Sequence, residues 1–367
     1  MSNRYFIGLM SGTSADGIDA VLVNTDGKNR ELVSTVYRAM PKTLRGNIIA
    51  LRQQSENELH RSAMLDRRLA AEFAKCVTTL LTKSQLKPTD ITAIGSHGQT
   101  IRHHPYGEVP YTIQIGDPNQ LAEDTNITVV ADFRRRDIAA GGQGAPLVPA
   151  FHQAQLAEEG VNTAIVNIGG ISNVTRVTED GAVTGWDIGP GNTLLDGWIQ
   201  RHCQLPFDKG GAWASKGKLL PELLQILMKE PYFTLSAPKS TGPEYFNLEW
   251  LEHFLEGNER SVDVQRTLVA LTTKSISREL QNYSPKVVRI CGGGAMNPLI
   301  MKNLVRQLEP IPVTTTAAVG LAPEWVEASA FAWLAEQTVD GKTTNKPSVT
   351  GARGPRILGA IYLSGQE

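Results

Sequence analysis

The placement of glycine constrains this chain more than any other feature of its sequence. Three glycine clusters, near residues 8, 169 and 292, each directly follow a short apolar segment rich in β-branched residues. A strand that ends in glycine can turn so that its backbone comes close to a ligand, because no side chain stands in the way. The total of 34 glycines in 367 residues is above the usual share of about 7 %. Three such turns indicate a phosphate or nucleotide site.

One plan of three strands occurs twice along the chain. In each copy we predict a strand, a turn, a second strand, an Asp-Gly turn and a third strand. The Asp-Gly turns begin at Asp26 and Asp180, and in the second copy the residues ISN, 171–173, are predicted as the first turn. The alternative is two unrelated meanders, since Asp-Gly hairpins are common. The predicted strands are 4–9, 18–24 and 31–39 in the first copy, and 163–170, 174–179 and 182–189 in the second.

Helical patterns alternate with the remaining strands. Apolar residues at spacings of three and four predict long helices over 56–84 and 262–283, and a last helix after Pro323. A strand is predicted over 126–134, and residues 340–356 are predicted as loop. The length of 367 residues favours two domains. The order of elements therefore predicts an α/β protein with two similar halves.

Composition excludes several classes of protein. The 36 Lys and Arg residues balance 37 Asp and Glu residues, which argues against a nucleic-acid partner. Cys76, Cys203 and Cys291 lie far apart, without the pairing that a disulfide framework or zinc ribbon needs. The apolar run near the start is short for a signal segment, and no stretch approaches 18 apolar residues. We expect a cytoplasmic protein with no membrane partner.

Phosphate-binding motifs of the common kinds are absent from the sequence. There is no G-x-x-x-x-G-K-[ST], and GGGAMN lacks the last glycine of G-x-G-x-x-G. What remains is a hairpin, Gly12 to Asp19, whose backbone N–H groups and hydroxyls suit phosphate oxygens. The same segment is also compatible with an ordinary surface hairpin.

Two carboxylates and two charged clusters are further candidates. Asp187 lies at the end of a predicted strand, before a Gly-Pro-Gly turn, where it could act as a general base or simply cap the turn. Glu327, in the first turn of the last helix, could merely favour the helix dipole. Adjacent His103 and His104 point apart, which excludes a metal cage. The run Arg134–Arg136 could bind a carboxylate or phosphate, or be solvated charge.

Seven segments stand out, in this order: GLMSGTSADGID, GSHGQT, ADFRRRDIAAGGQGAPLVP, NIGGISN, GWDIGPGNTLLD, CGGGAMNP and EWVEASAFAWLA. Taken together, and over nearly the whole chain, they resemble the anhydro-N-acetylmuramic acid kinase family. That family is similar to the acetate and sugar kinase, Hsp70 and actin superfamily. The resemblance implies an α/β fold of two ribonuclease-H-like (actin-like ATPase) domains with a nucleotide cleft between them. The first would cover 1–140, with 340–367 returning to it, and the second 141–339.

The resemblance also implies roles for individual residues. Asp187 would be the catalytic base, and Gln99, Arg134 and Glu327 would contact the sugar. Pro243 stands where many members carry a basic residue, which puts any contact of that side chain in doubt. The nucleotide phosphates would be bound by two hairpins: Gly12, Thr13, Ser14, Ala15, Asp16, Gly17, Ile18 and Asp19 in the first, and Gly169, Gly170 and Asn173 in the second. Adenosine would be lined by Gly292, Gly293, Gly294 and Asn297.

The implied reaction uses ATP and Mg²⁺ to open an anhydro amino sugar and phosphorylate its O6, in the recycling of peptidoglycan. An inverting glycosidase needs two carboxylates, whereas only Asp187 is strongly placed here. If ATP traps O6 as it leaves, no separate acid is required. Two alternatives stay open: an ordinary sugar kinase that acts on an open amino sugar, and a nucleotide-switched binding protein. The family also implies a homodimer.

Overall fold

A computed structural model describes residues 4–27 and 29–365, which form two compact units. Unit 1 comprises the chain up to Phe151 together with the segment from Trp325 onward, and unit 2 is His152–Glu324. The family resemblance implied domain boundaries near 140 and 339. Unit 1 is therefore built from two separate stretches of chain.

Unit 1 is organised around a mixed sheet of six strands in the order β13-β7-β4-β1-β2-β3. Strands β1, β2 and β3 are successive antiparallel neighbours, whereas β1, β4 and β7 are parallel. A separate hairpin is formed by β5 and β6. The strands are β1 (Arg4–Met10), β2 (Gly17–Thr25), β3 (Arg30–Ala39), β4 (Ile91–Ser96), β5 (Gln99–His104), β6 (Tyr111–Ile115), β7 (Val129–Ala131) and β13 (Ala360–Tyr362).

Unit 2 repeats this arrangement with five strands in the order β10-β9-β8-β11-β12. Its first three strands are antiparallel neighbours, and β8, β11 and β12 are parallel. The duplication predicted from the Asp-Gly turns is thus present as a shared strand order, and the α/β prediction is confirmed. The strands are β8 (Thr163–Ile168), β9 (Ile171–Val177), β10 (Val183–Pro190), β11 (Val287–Cys291) and β12 (Val313–Thr315).

Helices cover the sheets, and their apolar sides form one core in each unit. The last long helix packs directly on its sheet at glycines: a Cβ on Gly8 or Gly95 would lie about 2 Å from a carbonyl oxygen of that helix. The helices are α1 (Lys42–Ala50), α2 (Glu58–Ser84), α3 (Pro118–Thr125), α4 (Phe133–Ala139), α5 (Val148–Gln155), α6 (Thr193–Cys203), α7 (Pro221–Leu227), α8 (Leu248–Glu252), α9 (Ser261–Gln281), α10 (Pro298–Leu308), α11 (Val326–Val339) and α12 (Pro347–Thr350).

Three local predictions are corrected by the structure. The strand predicted over 126–134 is only β7, because Phe133 already begins α4. The segment 340–356 contains the short helix α12, which starts at a proline. Residues 171–173 belong to β9, so the turn is made by Gly169 and Gly170 alone, which fits the preference of two-residue hairpins for glycine. Within the described residues, no helix is both long and apolar enough to cross a membrane.

Candidate functional site

The turn between β1 and β2 presents a short exposed backbone segment. The Ala15 N–H donates to the Gly12 carbonyl at 3.0 Å, and Ala15 itself is fully buried with a φ of 49°. Thr13 and Ser14 are exposed. A Cβ on Gly12 would meet no atom within 4 Å. The buried Ala15 anchors the turn, and its tip leaves space in which a ligand could approach the backbone.

Gln99 lies behind this turn. The Ser11 hydroxyl is 2.8 Å from Gln99 Oε1 and 3.0 Å from the Gly17 carbonyl oxygen, and Gln99 is 1 % exposed. The structure therefore places Gln99 as a buried support of the β1–β2 turn.

Arg134 is part of a hydrogen-bonded group with a histidine that the sequence analysis did not single out. Arg134 Nε and Nη2 lie 3.1 and 2.9 Å from His97 Nε2, and Nη1 donates to the Gly144 carbonyl at 2.8 Å. His97 Nδ1 lies 2.9 Å from the Gly98 carbonyl oxygen, which requires the proton on Nδ1 and leaves Nε2 as acceptor. The segment GSHGQT contained His97, but only its glutamine was assigned a role.

Burial shifts the pKa values of His97, Arg134 and Glu327. Desolvation, reinforced by the Arg134 charge, lowers the pKa of His97 well below its ordinary value, so the ring is neutral. Desolvation lowers the pKa of Arg134 to about 10, with Glu327 and Asp137 acting against it, and the guanidinium stays positive at neutral pH. Burial raises the pKa of Glu327, and the Arg134 charge opposes that rise. Arg134 and Glu327 are therefore close enough in unit 1 for each charge to influence the pKa of the other.

The glycine-rich loop after α4 is fixed by one buried carboxylate. Asp137 Oδ2 accepts the Gly144 N–H at 2.8 Å, and Oδ1 accepts bonds from Asn345 Nδ2 and Thr350 Oγ1 at 2.9 Å each. A Cβ on Gly142 would lie 2.3 Å from Oδ2. Asp137 therefore holds the loop whose Gly144 carbonyl receives the Arg134 bond.

In unit 2, the Gly169–Gly170 turn is tied to the start of α6. The Gly170 carbonyl accepts the N–H groups of Gly191 and Thr193 at 2.9 and 3.0 Å, and the Gly169 carbonyl accepts that of Asn192 at 2.8 Å. A Cβ on Gly191 would lie 2.3 Å from the Gly169 carbonyl oxygen. The close approach holds both carbonyl groups of the turn toward the N–H groups at the start of α6.

Asp187 lies on β10 at a bulge that follows it. Its Oδ2 accepts the Ser240 hydroxyl at 3.0 Å and the Thr241 N–H at 3.1 Å, while Oδ1 takes part in no hydrogen bond with any residue that the structure describes. Burial is the largest influence and raises the pKa of the carboxyl group. The two hydrogen bonds act against this rise, and the charge of Glu244 adds to it. The side chain is a partly buried carboxyl group with one oxygen hydrogen-bonded and the other open.

The register of the sheet places polar residues in one row with Asp187. Asp187 lies opposite Asn173 on β9, and Asn173 lies opposite Asn167 on β8. Directly opposed residues point to the same face of a sheet. This row joins the predicted base to a predicted nucleotide-binding residue and adds Asn167, which the sequence analysis did not name.

The turn after β11 packs close to Asn167. Gly292 has a φ of 79°, and a Cβ there would lie 2.2 Å from Asn167 Oδ1. A Cβ on Gly294 would lie equally close to Ile168 Cγ2. Asn297 Oδ1 accepts the Leu299 N–H at 3.0 Å and so caps α10. Glycine is required here because a larger residue would push the turn away from β8.

An open cavity of about 590 Å³ borders the segment that contacts Asp187. Its walls include the rings of Tyr232 and Tyr245 and the polar residues Ser240, Thr241 and Glu244. Pro243, the residue that departs from the family pattern, lies exposed in the same segment.

Comparison with known proteins adds an independent observation. The sequence matches the family model described as "Anhydro-N-acetylmuramic acid kinase" over residues 4–364. The enzyme of that name from Nitrosomonas europaea is 48% identical over 360 residues, covering 98% of this chain and 99% of the relative. The one from Nitrosospira multiformis is 49% identical over 364 residues, covering 99% and 100%. The one from Pseudomonas putida is 48% identical over 361 residues, covering 97% and 99%.

The chain belongs to the anhydro-N-acetylmuramic acid kinase family. The resemblance inferred from seven segments is thereby confirmed, and so is the expectation of an ATP-using phosphotransferase. The match extends through both units, including the returning segment of unit 1 and β10 with Asp187.

A kinase that uses ATP needs residues that can hold Mg²⁺ beside the phosphates. No group of three or more His, Cys, Asp or Glu residues in the described ranges could hold a metal ion. Magnesium in kinases takes one or two carboxylates and completes its shell with phosphate oxygens and water. The exposed Asp16 beside the β1–β2 turn is a carboxylate of the kind that such a sparse site needs.

Proposed function

We propose that this kinase converts 1,6-anhydro-N-acetylmuramic acid, water and ATP into N-acetylmuramic acid 6-phosphate and ADP, in peptidoglycan recycling. The observation that carries the proposal is the state of Asp187. One carboxylate oxygen is held by Ser240 and Thr241, the other is open, and burial raises the pKa of the group. A carboxylate of this kind suits the removal of a proton from water.

The chemistry needs only one such group. Asp187 takes a proton from water as the water oxygen bonds to C1 of the sugar, and the bond between C1 and O6 breaks. O6 then bonds to the γ-phosphorus of ATP, and the bond to the β-phosphate oxygen breaks to release ADP. Because the phosphoryl group captures O6, the acid that protonates the leaving oxygen in an inverting glycosidase is not needed.

The remaining residues are assigned to binding. Gly12 to Asp19 would bind phosphate through exposed backbone N–H groups and hydroxyls, together with Gly169, Gly170 and Asn173. The residues Gly292, Gly293, Gly294 and Asn297 would line adenosine. Arg134 and Glu327 would bind the muramic sugar, with His97 orienting the guanidinium. Gln99 would act on the sugar through the turn that it supports, since its side chain is buried against Ser11.

Mg²⁺ would be held chiefly by phosphate oxygens and water, with Asp16 as the carboxylate that the first turn offers. When bound, the ion would neutralise charge on the transferring phosphoryl group. The protein's part is to fix the phosphates by the two glycine turns.

A comparison of two sugars tests the reaction. ATP turnover is measured with 1,6-anhydro-N-acetylmuramic acid and with N-acetylmuramic acid, each at several concentrations. We expect a much larger kcat/KM for the anhydro sugar. Equal or better use of the opened sugar would support an ordinary sugar kinase instead, and ATP hydrolysis unaffected by either sugar would support a nucleotide-switched binding protein.

We also propose that the kinase acts in the cytoplasm, where ATP is available, and that it is a homodimer, as its family implies. Sedimentation at several protein concentrations tests the dimer. A single species with the mass of one chain, 39.9 kDa, at every concentration would contradict it.

A further inference from the structure

The segment Lys239–Thr241 contacts Asp187 from two sides. The Asp187 N–H donates to the Lys239 carbonyl at 3.0 Å. The Ser240 hydroxyl and the Thr241 N–H both donate to Asp187 Oδ2, at 3.0 and 3.1 Å. Three successive residues therefore fix both the backbone and one carboxylate oxygen of Asp187.

A buried ion pair anchors this segment. Lys239 Nζ lies 3.0 Å from Glu279 Oε2, with both residues less than 10 % exposed. The other oxygen of Glu279 accepts the Trp186 Nε1–H at 2.9 Å, and Trp186 immediately precedes Asp187 on β10. Helix α9, which carries Glu279, thus holds the segment and the strand in one arrangement.

A second contact restrains the backbone of β10. The Tyr232 hydroxyl donates to the Asp187 carbonyl at 2.9 Å, and Lys239 Nζ lies 5.2 Å from the centre of the Tyr232 ring. Such a restrained backbone leaves the carboxylate with little freedom except rotation of its own side chain. The two bonds to Oδ2 remove that freedom.

We propose that Ser240 is a positioning residue, which holds Asp187 Oδ2 so that Oδ1 alone is presented to the reacting water. The inference rests on the proposed function of Asp187 as base. A carboxylate with one fixed oxygen is already oriented for proton transfer, and the rate of such a transfer depends steeply on geometry.

The charged and polar groups around Asp187 determine how its pKa changes when the Ser240 hydroxyl is removed. Glu244, three residues after Thr241, raises the pKa of Asp187, and the bonds from Thr241 and Ser240 lower it. Tyr232 is neutral, because burial and the charges of Asp187 and Glu279 raise the pKa of its hydroxyl. Lys239 and Glu279 form a pair whose charges compensate. Removing the Ser240 hydroxyl leaves the other influences in place and raises the pKa of Asp187 further.

The test uses Ser240→Ala, with Ser240→Thr as the variant that keeps a hydroxyl. Thr184→Ala, an exposed change on the same strand, is the control. We expect Ser240→Ala to lower kcat about tenfold at neutral pH, with little change in the KM for ATP. The acidic limb of its kcat/KM profile should move to higher pH, and Ser240→Thr should restore both properties.

Several outcomes would overturn the inference: unchanged kcat in Ser240→Ala, a lowered kcat with an unmoved acidic limb, or failure of Ser240→Thr to restore activity. Thermal unfolding of each variant checks that the fold is retained. Asp187→Asn, assayed in parallel, separates the two levels of the account. If it is fully active, the proposed base is wrong; if it is inactive while Ser240→Ala behaves as wild type, only the role of Ser240 is wrong.

Discussion

Asp187 on β10 lies directly opposite Asn173 on β9, and both side chains point to the same face of the unit 2 sheet. The pairing places the proposed base next to an amide that follows the Gly169–Gly170 turn by three residues. A slip of one residue in this register would move Asp187 to the other face of the sheet. The position of the Asp187 carboxylate is therefore set by the pairing register of β9 and β10.

Asp187→Asn should abolish most of the activity and leave the fold intact. The amide is nearly isosteric but cannot take a proton, so we expect kcat to fall by about 10² or more while ATP binding and thermal stability are retained. Asp180→Asn, in the exposed turn between β9 and β10, is the matched control and should have wild-type turnover. Near-normal turnover of Asp187→Asn would remove this residue from the mechanism.

Gly12→Ala tests whether the β1–β2 turn approaches a ligand. A Cβ there meets no atom of the protein within 4 Å, so the variant should be as stable as the wild type. Because the added methyl group occupies space that the phosphates would use, the KM for ATP should rise about tenfold. Gly46→Ala, which also has open space around its Cβ, serves as control in the same unit. An unchanged KM for ATP in Gly12→Ala would argue against phosphate binding at this turn.

The sequence predicted the elements that depend on local signals better than the contacts between residues far apart in the chain. Asp-Gly turns and alternating apolar residues are local signals, and they located β1, β2, β3 and β10 closely. The clustering of glycine correctly marked the turns after β8 and β11. Its reason became visible only in three dimensions: Gly292 and Gly294 lie against Asn167 and Ile168, more than a hundred residues away in sequence.

Side chains that act through distant partners could not be predicted. His97 is recognisable as a partner of Arg134 only when α4 is folded against the end of β4. Likewise, Ser240 belongs to a segment without regular secondary structure, and its contact with Asp187 spans 53 residues. Neither side chain has a neighbour in sequence that reveals its role.

Arg134→Lys should impair the use of the sugar. Lysine keeps the positive charge but cannot contact His97 and the Gly144 carbonyl at once, as the planar guanidinium does. We expect the KM for the sugar to rise about tenfold or more, with the KM for ATP little changed. Arg135→Lys is the control, because the exposed Arg135 forms an ion pair with Asp132 in which lysine can replace it. Equal kinetics in the two variants would contradict the role of Arg134.

The acid sensitivity of unit 1 should depend on Asp340. Its hydrogen bond to Arg4, with Oδ1 2.7 Å from Nη1, is the main reason that the pKa of Asp340 is lowered to about 2. Since the pKa is lower in the folded state than in the unfolded one, this contribution to stability is complete above about pH 4. It is lost as the pH falls toward 2.

Urea unfolding between pH 2 and 6 measures this effect. Asp340→Asn should be less stable than wild type at pH 6, and the difference should shrink toward pH 2. A constant difference over the whole range would contradict the assignment of the lowered pKa to Asp340.

Oxygen labelling tests the central claim most directly. The reaction is run in water enriched in ¹⁸O, quenched early, and the sugar phosphate is analysed before the anomeric hydroxyl exchanges with solvent. The account predicts one ¹⁸O atom at C1 of the product and none in its phosphate group, since O6 comes from the substrate. Product without label at C1 would contradict the attack of water directed by Asp187.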